Sequence, residues 1–259
     1  MHSAAVSVPL GVVERKIMQN RYVGDIGDYV KLALLRALSG EHRLGVAWWL
    51  VPDETHNKDG RHIKYLENYA QWRHLDPPLF DALQDIVRTG DRTVEVLETS
   101  CLLPVGTEYN RIPVPCPLTW SQRALAREHW FQELLVTMER SNLIFLDPDN
   151  GIEAERYRVT KKGSNKSVRI DEIKRLIQPG RIIILYHHQT RLRGGHISEL
   201  SHHARRLRDL GATDVDALRA SPYSARAFFI VDGDMEIRSR AAAFAQRWSP
   251  HVTWHPNLM

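Results

Sequence analysis

Short apolar runs that alternate with amphipathic segments constrain the fold of this chain most strongly. The continuous apolar run at residues 44–51 and the largely apolar segments 142–146 and 181–186 have the length of buried strands. Segments with helical spacing lie between and after them, notably at residues 120–140 and 197–210. Strands that alternate with helices predict a mostly parallel sheet with helices on both faces.

The length of the chain fits one such domain. A chain of 259 residues is ordinary for one large α/β domain and short for two complete ones. We therefore expect a single Rossmann-like, doubly wound α/β domain over residues 21–259, after an N-terminal extension over residues 1–20. The sequence leaves open whether Met1 or Met18 is the native start. The remaining predicted elements are strands at 92–98, 215–218 and 225–231, helices at 29–38, 62–69, 78–88, 168–177 and 237–248, and a loop at 103–118.

Three features predict a cytoplasmic protein without a membrane partner. No apolar run approaches the roughly 18 residues that a membrane-spanning helix needs. The first residues, MHSAAVSVPLGVVERKI, have no basic residue ahead of their mildly apolar stretch, which argues against a cleaved secretory signal. Cys101 and Cys116 are too few for a disulfide scaffold or a four-thiolate zinc site.

Positive charge is concentrated in one part of the chain. Residues 154–208 carry 14 basic and 4 acidic side chains, a net charge of +10, whereas residues 1–153 carry −5 and residues 209–259 carry −1. A concentrated basic field is typical of a protein that binds a polyanion, because each neutralised phosphate releases counterions. A pair of solvated surface helices would give the same pattern. We expect a nucleic-acid partner, with DNA favoured over RNA.

The first candidate for chemistry is Asp147-Pro148-Asp149-Asn150-Gly151, which follows the most apolar predicted strand. Ligands of open α/β sheets bind at the carboxyl ends of the strands. Carboxylates at such a place can hold a metal, orient water or stabilise positive charge on a sugar. A tight turn would use the same residues. We predict that Asp147, Asp149 and Asn150 are catalytic.

The strand tip and the order of elements resemble class I S-adenosylmethionine-dependent methyltransferases that modify adenine N6, whose signature here is Asp/Asn-Pro-Pro followed by an aromatic residue. The segment Gly24-Asp25-Ile26-Gly27-Asp28-Tyr29-Val30-Lys31 is similar to the Gly-Asn-x-x-Asp-x-x-Lys opening of the bacterial 23S ribosomal RNA adenine-N6 methyltransferase family. Residues 227–231 fit its final strand pair. The resemblance implies the class I fold, S-adenosylmethionine as cofactor and methyl transfer to nucleic acid. The chain also resembles bacterial proteins that open with Gly-Asp-Val-Gly-Asp, which implies no particular activity.

The chain departs from the methyltransferase pattern at two places. Such enzymes need a glycine-rich turn after the first strand, whereas residues 52–59 contain no glycine before Gly60. Asp149 and Asn150 replace the Pro-aromatic pair, so the ring that would stack on a flipped adenine is missing. We therefore expect the fold without the cofactor, since fold alone does not determine activity.

The loop at residues 52–59 is itself a second candidate site. It offers oxygen and nitrogen ligands for a divalent metal, but their spacing matches no standard site. A solvated loop explains the same residues. We predict a catalytic role for Asp53 and no bound metal.

The third candidate is the segment from Tyr186 to His196. Adjacent strand residues point to opposite faces, so at most one of His187 and His188 enters a site. We assign His187 to catalysis and His188 to substrate binding. Arginines 191 and 193 beside a Gly-Gly turn suit phosphate contact. A basic loop that only steers nucleic acid is the alternative. The two predicted phosphate ligands are Arg191 and Arg193.

The opening motif is the fourth candidate. Its glycines allow close approach of a ligand to the backbone, and we predict that Asp25, Asp28 and Lys31 bind substrate. A capped helix start explains Asp28 equally well. Trp49 is the candidate for stacking on a base, although most tryptophans at this spacing belong to the core.

Four functions remain open. The one placed first is a hydrolase that processes a flipped base, standard or modified, by DNA glycosylase-like cleavage of the base–sugar bond, without a cofactor. The second is an adenine-N6 methyltransferase that uses S-adenosylmethionine, and the third is a metal-dependent nuclease that uses Asp147, Asp149 and the loop at 52–59. A non-catalytic nucleic-acid-binding protein is the fourth, and it leaves the polar strand tips unexplained.

Overall fold

The computed structural model is an α/β structure built on a seven-stranded, mostly parallel mixed sheet with helices. It describes residues 20–51, 60–116, 119–155, 164–190 and 192–259. The strands of the large sheet are β1 (Leu44–Trp48), β2 (Glu108–Asn110), β3 (Leu143–Asp147), β6 (Ile182–His188), β7 (Val215–Ala220), β8 (Arg226–Val231) and β9 (Val252–His255). A two-stranded sheet consists of β4 (Gly151–Ile152) and β5 (Ser167–Val168).

Helices connect most of the strands. They are α1 (Ile26–Ser39), α2 (Tyr69–Trp72), α3 (Pro77–Thr89), α4 (Val94–Thr99), α5 (Trp120–Thr137), α6 (Ile170–Leu176), α7 (Gly195–Asp209) and α8 (Met235–Arg247). Within the described ranges, no helix has both the length and the apolar character that crossing a membrane requires.

The strand order places a crevice next to the predicted strand tip. The order is β2-β1-β3-β6-β8-β7-β9, in which β2, β1, β3 and β6 pair in parallel and the later pairings are antiparallel. β2 lies on one side of β1 and β3 lies on the other, so the order reverses between β1 and β3. Ligands of open α/β sheets bind outside the carboxyl ends of the strands at such a reversal.

Hydrophobic cores form on both faces of the sheet. Alternate strand residues point to opposite faces, so Val46 and Phe145 pack on one side while Ala47 and Ile144 pack on the other. The first core contains side chains of α1, α3 and α8, and the second contains side chains of α5, α6 and α7. Helices therefore cover both faces.

Three expectations about local structure differ from the structure, and one strand was missed. Residues 92–98 were expected as a strand, but they contain α4, because Thr93 accepts a hydrogen bond from the amide of Val96 and so caps a helix. The expected loop at 103–118 contains the edge strand β2. The expected helix at 62–69 is a 3-10 segment, Lys64–Glu67, followed by α2. The strand β9 was not expected.

Candidate functional site

A cavity of about 330 Å³ lies at the carboxyl end of β3, beside the first turn of α1. The opening motif, the strand tip, β6 and β8 all contribute to its wall. The lining residues are Tyr22, Asp25, Gly27, Asp28, Lys31, Gly60, His62, Asp147, Pro148, Asp149, Asn150, Lys166, Tyr186, His188, Ser224 and Arg226. Seven of the predicted site residues thus lie around one cavity, namely Asp25, Asp28, Lys31, Asp147, Asp149, Asn150 and His188.

The opening motif forms the start of α1. Gly24 has a φ of +79°, which favours glycine, and its amide donates to Asp28. The Asp25 side chain caps the helix by accepting from the Asp28 amide at 3.0 Å. A Cβ on Gly27 would lie 2.8 Å from Nη1 of Arg226, so a glycine is needed for this close approach. Local geometry therefore accounts for both glycines.

Lys31 connects the opening motif to the strand tip. Its Nζ donates to Asp28 Oδ1 at 3.0 Å and to Asp147 Oδ2 at 2.6 Å, and its side chain is 12% exposed. Burial lowers the pKa of Lys31, but the charges of Asp147 and Asp28 raise it above its usual range. Burial raises the pKa of Asp147, and Lys31 opposes that rise. Lys31 is therefore a fixed cation that orients the Asp147 carboxylate.

Asp25 lies in a different electrostatic environment. Burial, followed by the negative charge of Asp28, raises the pKa of Asp25 to about 6. The side chain therefore exchanges its proton close to neutral pH, as an acid–base group requires. Asp25 thus differs from Asp147, which contacts a lysine.

The strand tip continues into the small sheet of β4 and β5. Lys166 Nζ lies 3.6 Å from Asp149 Oδ2, and the amide of Asn150 donates to the carbonyl of Lys166 at 2.9 Å. Asn150 is exposed. The tip is therefore both a turn and part of the cavity wall.

Tyr186 and His188 extend the wall along β6. The Tyr186 hydroxyl lies 3.3 Å from Nδ1 of His188. Burial raises the pKa of Tyr186 to about 12, so the phenol remains protonated at neutral pH. The pair offers hydrogen-bonding groups to the cavity.

His187 points to the other face of β6, as expected for a neighbour of His188. It is buried, its Nδ1 accepts from the Ile152 amide at 3.2 Å, and its Nε2 lies 3.3 Å from Glu199 Oε1. The ring does not line the cavity. We therefore correct the predicted catalytic role of His187 and regard it as structural.

Among the described residues, His187, Glu199 and His203 form the one group with metal-ligand geometry, with ligand atoms within 4.8 Å of one another. The hydrogen bonds argue against a metal. Nδ1 of His187 accepts a backbone N–H, so its Nε2 carries the proton and has no lone pair for a cation. Glu199 already accepts from the amide and hydroxyl of Thr190. The group instead anchors α7 to β6.

Trp49 was expected to stack on a base, and this expectation is wrong. The ring is 1% exposed in the core under α5, where its centroid lies 4.8 Å from that of Trp130 and the Arg127 guanidinium lies 5.0 Å away.

Arg193 is exposed on the turn before α7 and does not line the cavity. The predicted residues Asp53 and Arg191 lie outside the described residues.

Sequence reasoning missed the basic cavity residues His62, Lys166 and Arg226, and also Tyr22 and Ser224. Arg226 pairs with His188 across β6 and β8, and this register depends on the sheet rather than on local sequence. A charged residue at the start of the otherwise apolar strand RAFFIV was the available signal.

No protein-family model matches the chain, and no curated protein sequence matches it. Function must therefore come from the site itself, because a fold hosts many activities.

Proposed function

We propose that the protein is a nucleic-acid hydrolase that processes a flipped base, standard or modified, by glycosylase-like cleavage of the base–sugar bond. One observation carries the proposal. Two carboxyl groups line the same cavity in different surroundings: Asp147 accepts a hydrogen bond from the Lys31 ammonium, whereas Asp25 accepts one from the Asp28 amide. Burial raises the pKa of both groups, and that of Asp25 reaches about 6. Unequal carboxyl pairs are typical of enzymes that combine an acid with a base or a charge stabiliser at neutral pH.

The two carboxyl groups have separate roles in this reaction. The bond between the sugar carbon and the base nitrogen breaks, and its electron pair leaves with the base, which takes a proton from Asp25. Positive charge that develops on the sugar is stabilised by the Asp147 carboxylate. Water then forms the new bond to the sugar carbon and releases a proton to the carboxylates. Lys31 keeps Asp147 in place.

The size and lining of the cavity suit one base. Its volume of about 330 Å³ is at the small end of the range for ligand sites. A base inside a duplex is inaccessible, so it must rotate out of the stack to enter such a cavity. Asn150, Tyr186 and His188 offer donors and acceptors for the edge of the base.

The basic segment supports a nucleic-acid substrate, with DNA favoured over RNA. Part of its charge serves the protein itself, because Arg206 donates to the Glu153 carbonyl and Arg175 pairs with Glu128. Arg193 and Arg205 are exposed. We expect them, together with Arg191, to contact the nucleic-acid backbone.

A methyltransferase is the second candidate, and the sheet order favours it. The reversal between β1 and β3 fits a Rossmann-like, doubly wound arrangement, in which nucleotide cofactors bind at the reversal. The cofactor would be S-adenosylmethionine. We expect no detectable binding of S-adenosylmethionine in calorimetry, and micromolar binding would place the methyltransferase first.

The lysine contacts weaken the case for a metal-dependent nuclease. Asp147 contacts Lys31 and Asp149 contacts Lys166, so a divalent ion would compete with two ammonium groups. We expect activity to survive EDTA. Complete loss with EDTA that magnesium or manganese restores would identify the carboxylates as metal ligands.

Mass spectrometry of oligonucleotides and of modified phage DNA, after incubation with the protein, tests the proposal. The expected result is that the nucleic acid loses a base when it is incubated with the native protein but not when it is incubated with Asp147→Asn. Gain of a methyl group or a broken backbone would favour the methyltransferase or the nuclease. No change in any substrate, or equal base loss by Asp147→Asn, would contradict the proposed hydrolase.

A further inference from the structure

Arg226 is a buried cation in the cavity wall that the proposed chemistry does not use. Its side chain opens β8, and the residue is 6% exposed. Nη2 donates to the Ser224 hydroxyl at 2.6 Å and to the Pro222 carbonyl at 3.4 Å. Nε and Nη1 have no hydrogen-bond partner among the described residues.

Such an arrangement is costly unless an acceptor is supplied from outside. Burying a charged group whose donors are unpaired is unfavourable. The other two lysine or arginine side chains in the described lining, Lys31 and Lys166, each contact a carboxylate. The hydrogen-bond partners of Arg226 are neutral oxygens. Arg226 is therefore the cavity cation best suited to an external anion.

The surroundings of Arg226 combine positive groups with the carboxyl groups of Asp25 and Asp147, on which its charge acts. Gly27 has no side chain, so Nη1 of Arg226 approaches the first turn of α1. The N-terminal end of a helix carries partial positive charge, which adds to that of the guanidinium. Charged N–H donors bind phosphate oxygens more strongly than neutral donors do.

We infer that Arg226 binds the phosphate of the nucleotide whose base occupies the cavity. The cavity therefore takes a nucleotide in preference to a free base or a nucleoside. This inference rests on the proposed function, since it treats the ligand as a nucleotide. The hydrogen bonds from Nη2 hold the guanidinium at the cavity wall, and Nε and Nη1 lack a hydrogen-bond partner among the described residues. Both nitrogens are buried, so the guanidinium must turn toward the cavity for them to donate to phosphate oxygens.

Calorimetry with small probes tests the inference without any turnover. The probes are the four deoxynucleoside 5′-monophosphates, the four matching nucleosides and inorganic phosphate. We expect at least one monophosphate to bind the native protein about 10- to 100-fold more tightly than its nucleoside, the scale of a charge-assisted hydrogen bond. Arg226→Gln should bind that monophosphate and its nucleoside equally, and Arg226→Lys should show an intermediate preference.

A matched control and a measurement on the native protein complete the test. Arg88→Gln changes an arginine on α3 whose side chain is 75% exposed, and it should keep the full preference. If the Arg226 variants do not fold, nitrogen-15 NMR of arginine Nε–H groups in the native protein remains informative. One buried Nε–H resonance should shift on adding the monophosphate and not on adding the nucleoside.

The outcomes separate the inference from the proposed function. Equal affinities for monophosphate and nucleoside, or an unchanged preference in Arg226→Gln, would overturn the inference. Base release by the native protein at a rate that Arg226→Gln leaves unchanged would support the hydrolase and overturn the phosphate contact. Tight monophosphate binding through Arg226, without base release from any oligonucleotide, would support the phosphate contact and reject the hydrolase.

Discussion

The ammonium of Lys31 lies 2.6 Å from Asp147 Oδ2, although 116 residues separate the two in the chain. The contact joins α1 to the carboxyl end of β3 and brings the opening motif and the strand tip into one site. Asp28 contacts the same ammonium at 3.0 Å. Loss of Asp147 would therefore leave Lys31 with one carboxylate partner.

The first prediction concerns the strand tip. Asp147→Asn and Asp149→Asn should each keep the fold and substrate binding, because asparagine has nearly the same shape and Lys31 retains Asp28. Turnover of Asp147→Asn should fall roughly 100-fold or more, because the positive charge on the sugar loses its carboxylate. The predicted catalytic role of Asp149 leads us to expect a loss of the same size in Asp149→Asn. Base release from the substrate found by mass spectrometry is the measurement. Asp85→Asn, whose carboxylate is 67% exposed on α3, is the control. Full activity in both variants would mean that the tip is only a turn.

The second prediction uses the raised pKa of Asp25 to predict stability. Because the pKa rises from 3.8 to about 6 on folding, the folded state favours the protonated form, and the free energy of unfolding falls as pH rises through this interval. Asp25→Asn cannot titrate but still accepts from the Asp28 amide. It should gain stability relative to the native protein between pH 4 and pH 6, by as much as about 3 kcal/mol. Urea denaturation across this range measures the difference in the free energy of unfolding between the two proteins. A difference that is the same at every pH would refute the prediction.

Comparing Asp25→Ala with Asp25→Asn separates the role of Asp25 in capping α1 from its proposed role as the acid. Asp25→Ala loses the capping oxygen and should be about 1 kcal/mol less stable than Asp25→Asn at every pH. Both variants should lose base release, because neither can protonate the leaving base. In the native protein kcat/KM should fall as pH rises through about 6, the pKa of Asp25. Retained activity in Asp25→Asn with the same pH profile would exclude Asp25 as the acid.

The sequence predicted the positions of site residues best where backbone geometry alone determines them. The carboxyl ends of parallel strands meet at one edge, so Asp147 and His188 could be placed together from the sequence alone. Alternation showed that only one of two adjacent histidines enters the cavity. It could not show which one, because that depends on how β6 sits in the sheet, and the choice of His187 was wrong.

Other features depend on contacts that a single sequence does not reveal. Arg226 reaches the cavity through its pairing with His188 across two antiparallel strands. Residues 92–98 alternate as a strand would, yet the Thr93 cap makes them helical. Trp49 lies in the apolar run at residues 44–51, which does not show whether its ring reaches the strand tip or the core, and α5 covers it.

The third prediction concerns the buried ion pair between Arg127 and Glu172, which lies beside Trp49. Arg127 Nε and Nη2 donate to the two oxygens of Glu172 at 2.6 and 2.9 Å, and both side chains are buried. Arg127→Met leaves the Glu172 charge buried without its partner and should lower the free energy of unfolding by about 3–5 kcal/mol. Arg73→Met, which breaks an exposed pair with Asp81, should have no measurable effect. Equal effects in urea denaturation would contradict this difference.

The fourth prediction concerns acid sensitivity. Burial, together with the charge of Arg206, lowers the pKa of His203 from 6.5 to about 2. The folded state holds the ring neutral, so its contribution to stability is complete above pH 6.5 and declines by about 1.4 kcal/mol per pH unit below it. His203→Phe should remove this slope between pH 6.5 and pH 5. His129→Phe, at an exposed position on α5, should keep the native slope. Urea denaturation at several pH values distinguishes them, and equal slopes would refute the prediction.

The last prediction concerns nucleic-acid binding by the turn before α7. Arg193 is exposed beside Gly194 and Gly195, whose φ values of +98° and +77° turn the chain into the helix. Removing one phosphate-binding side chain lowers the slope of log affinity against log salt by about one unit. Arg193→Ala should therefore reduce the slope by about one unit, and adding Arg191→Ala should reduce it by about one more. Fluorescence anisotropy of a labelled oligonucleotide over a salt series measures the slope. Arg88→Ala, on α3, should leave it unchanged, and an unchanged slope in the double variant would mean that this loop does not touch the nucleic-acid backbone.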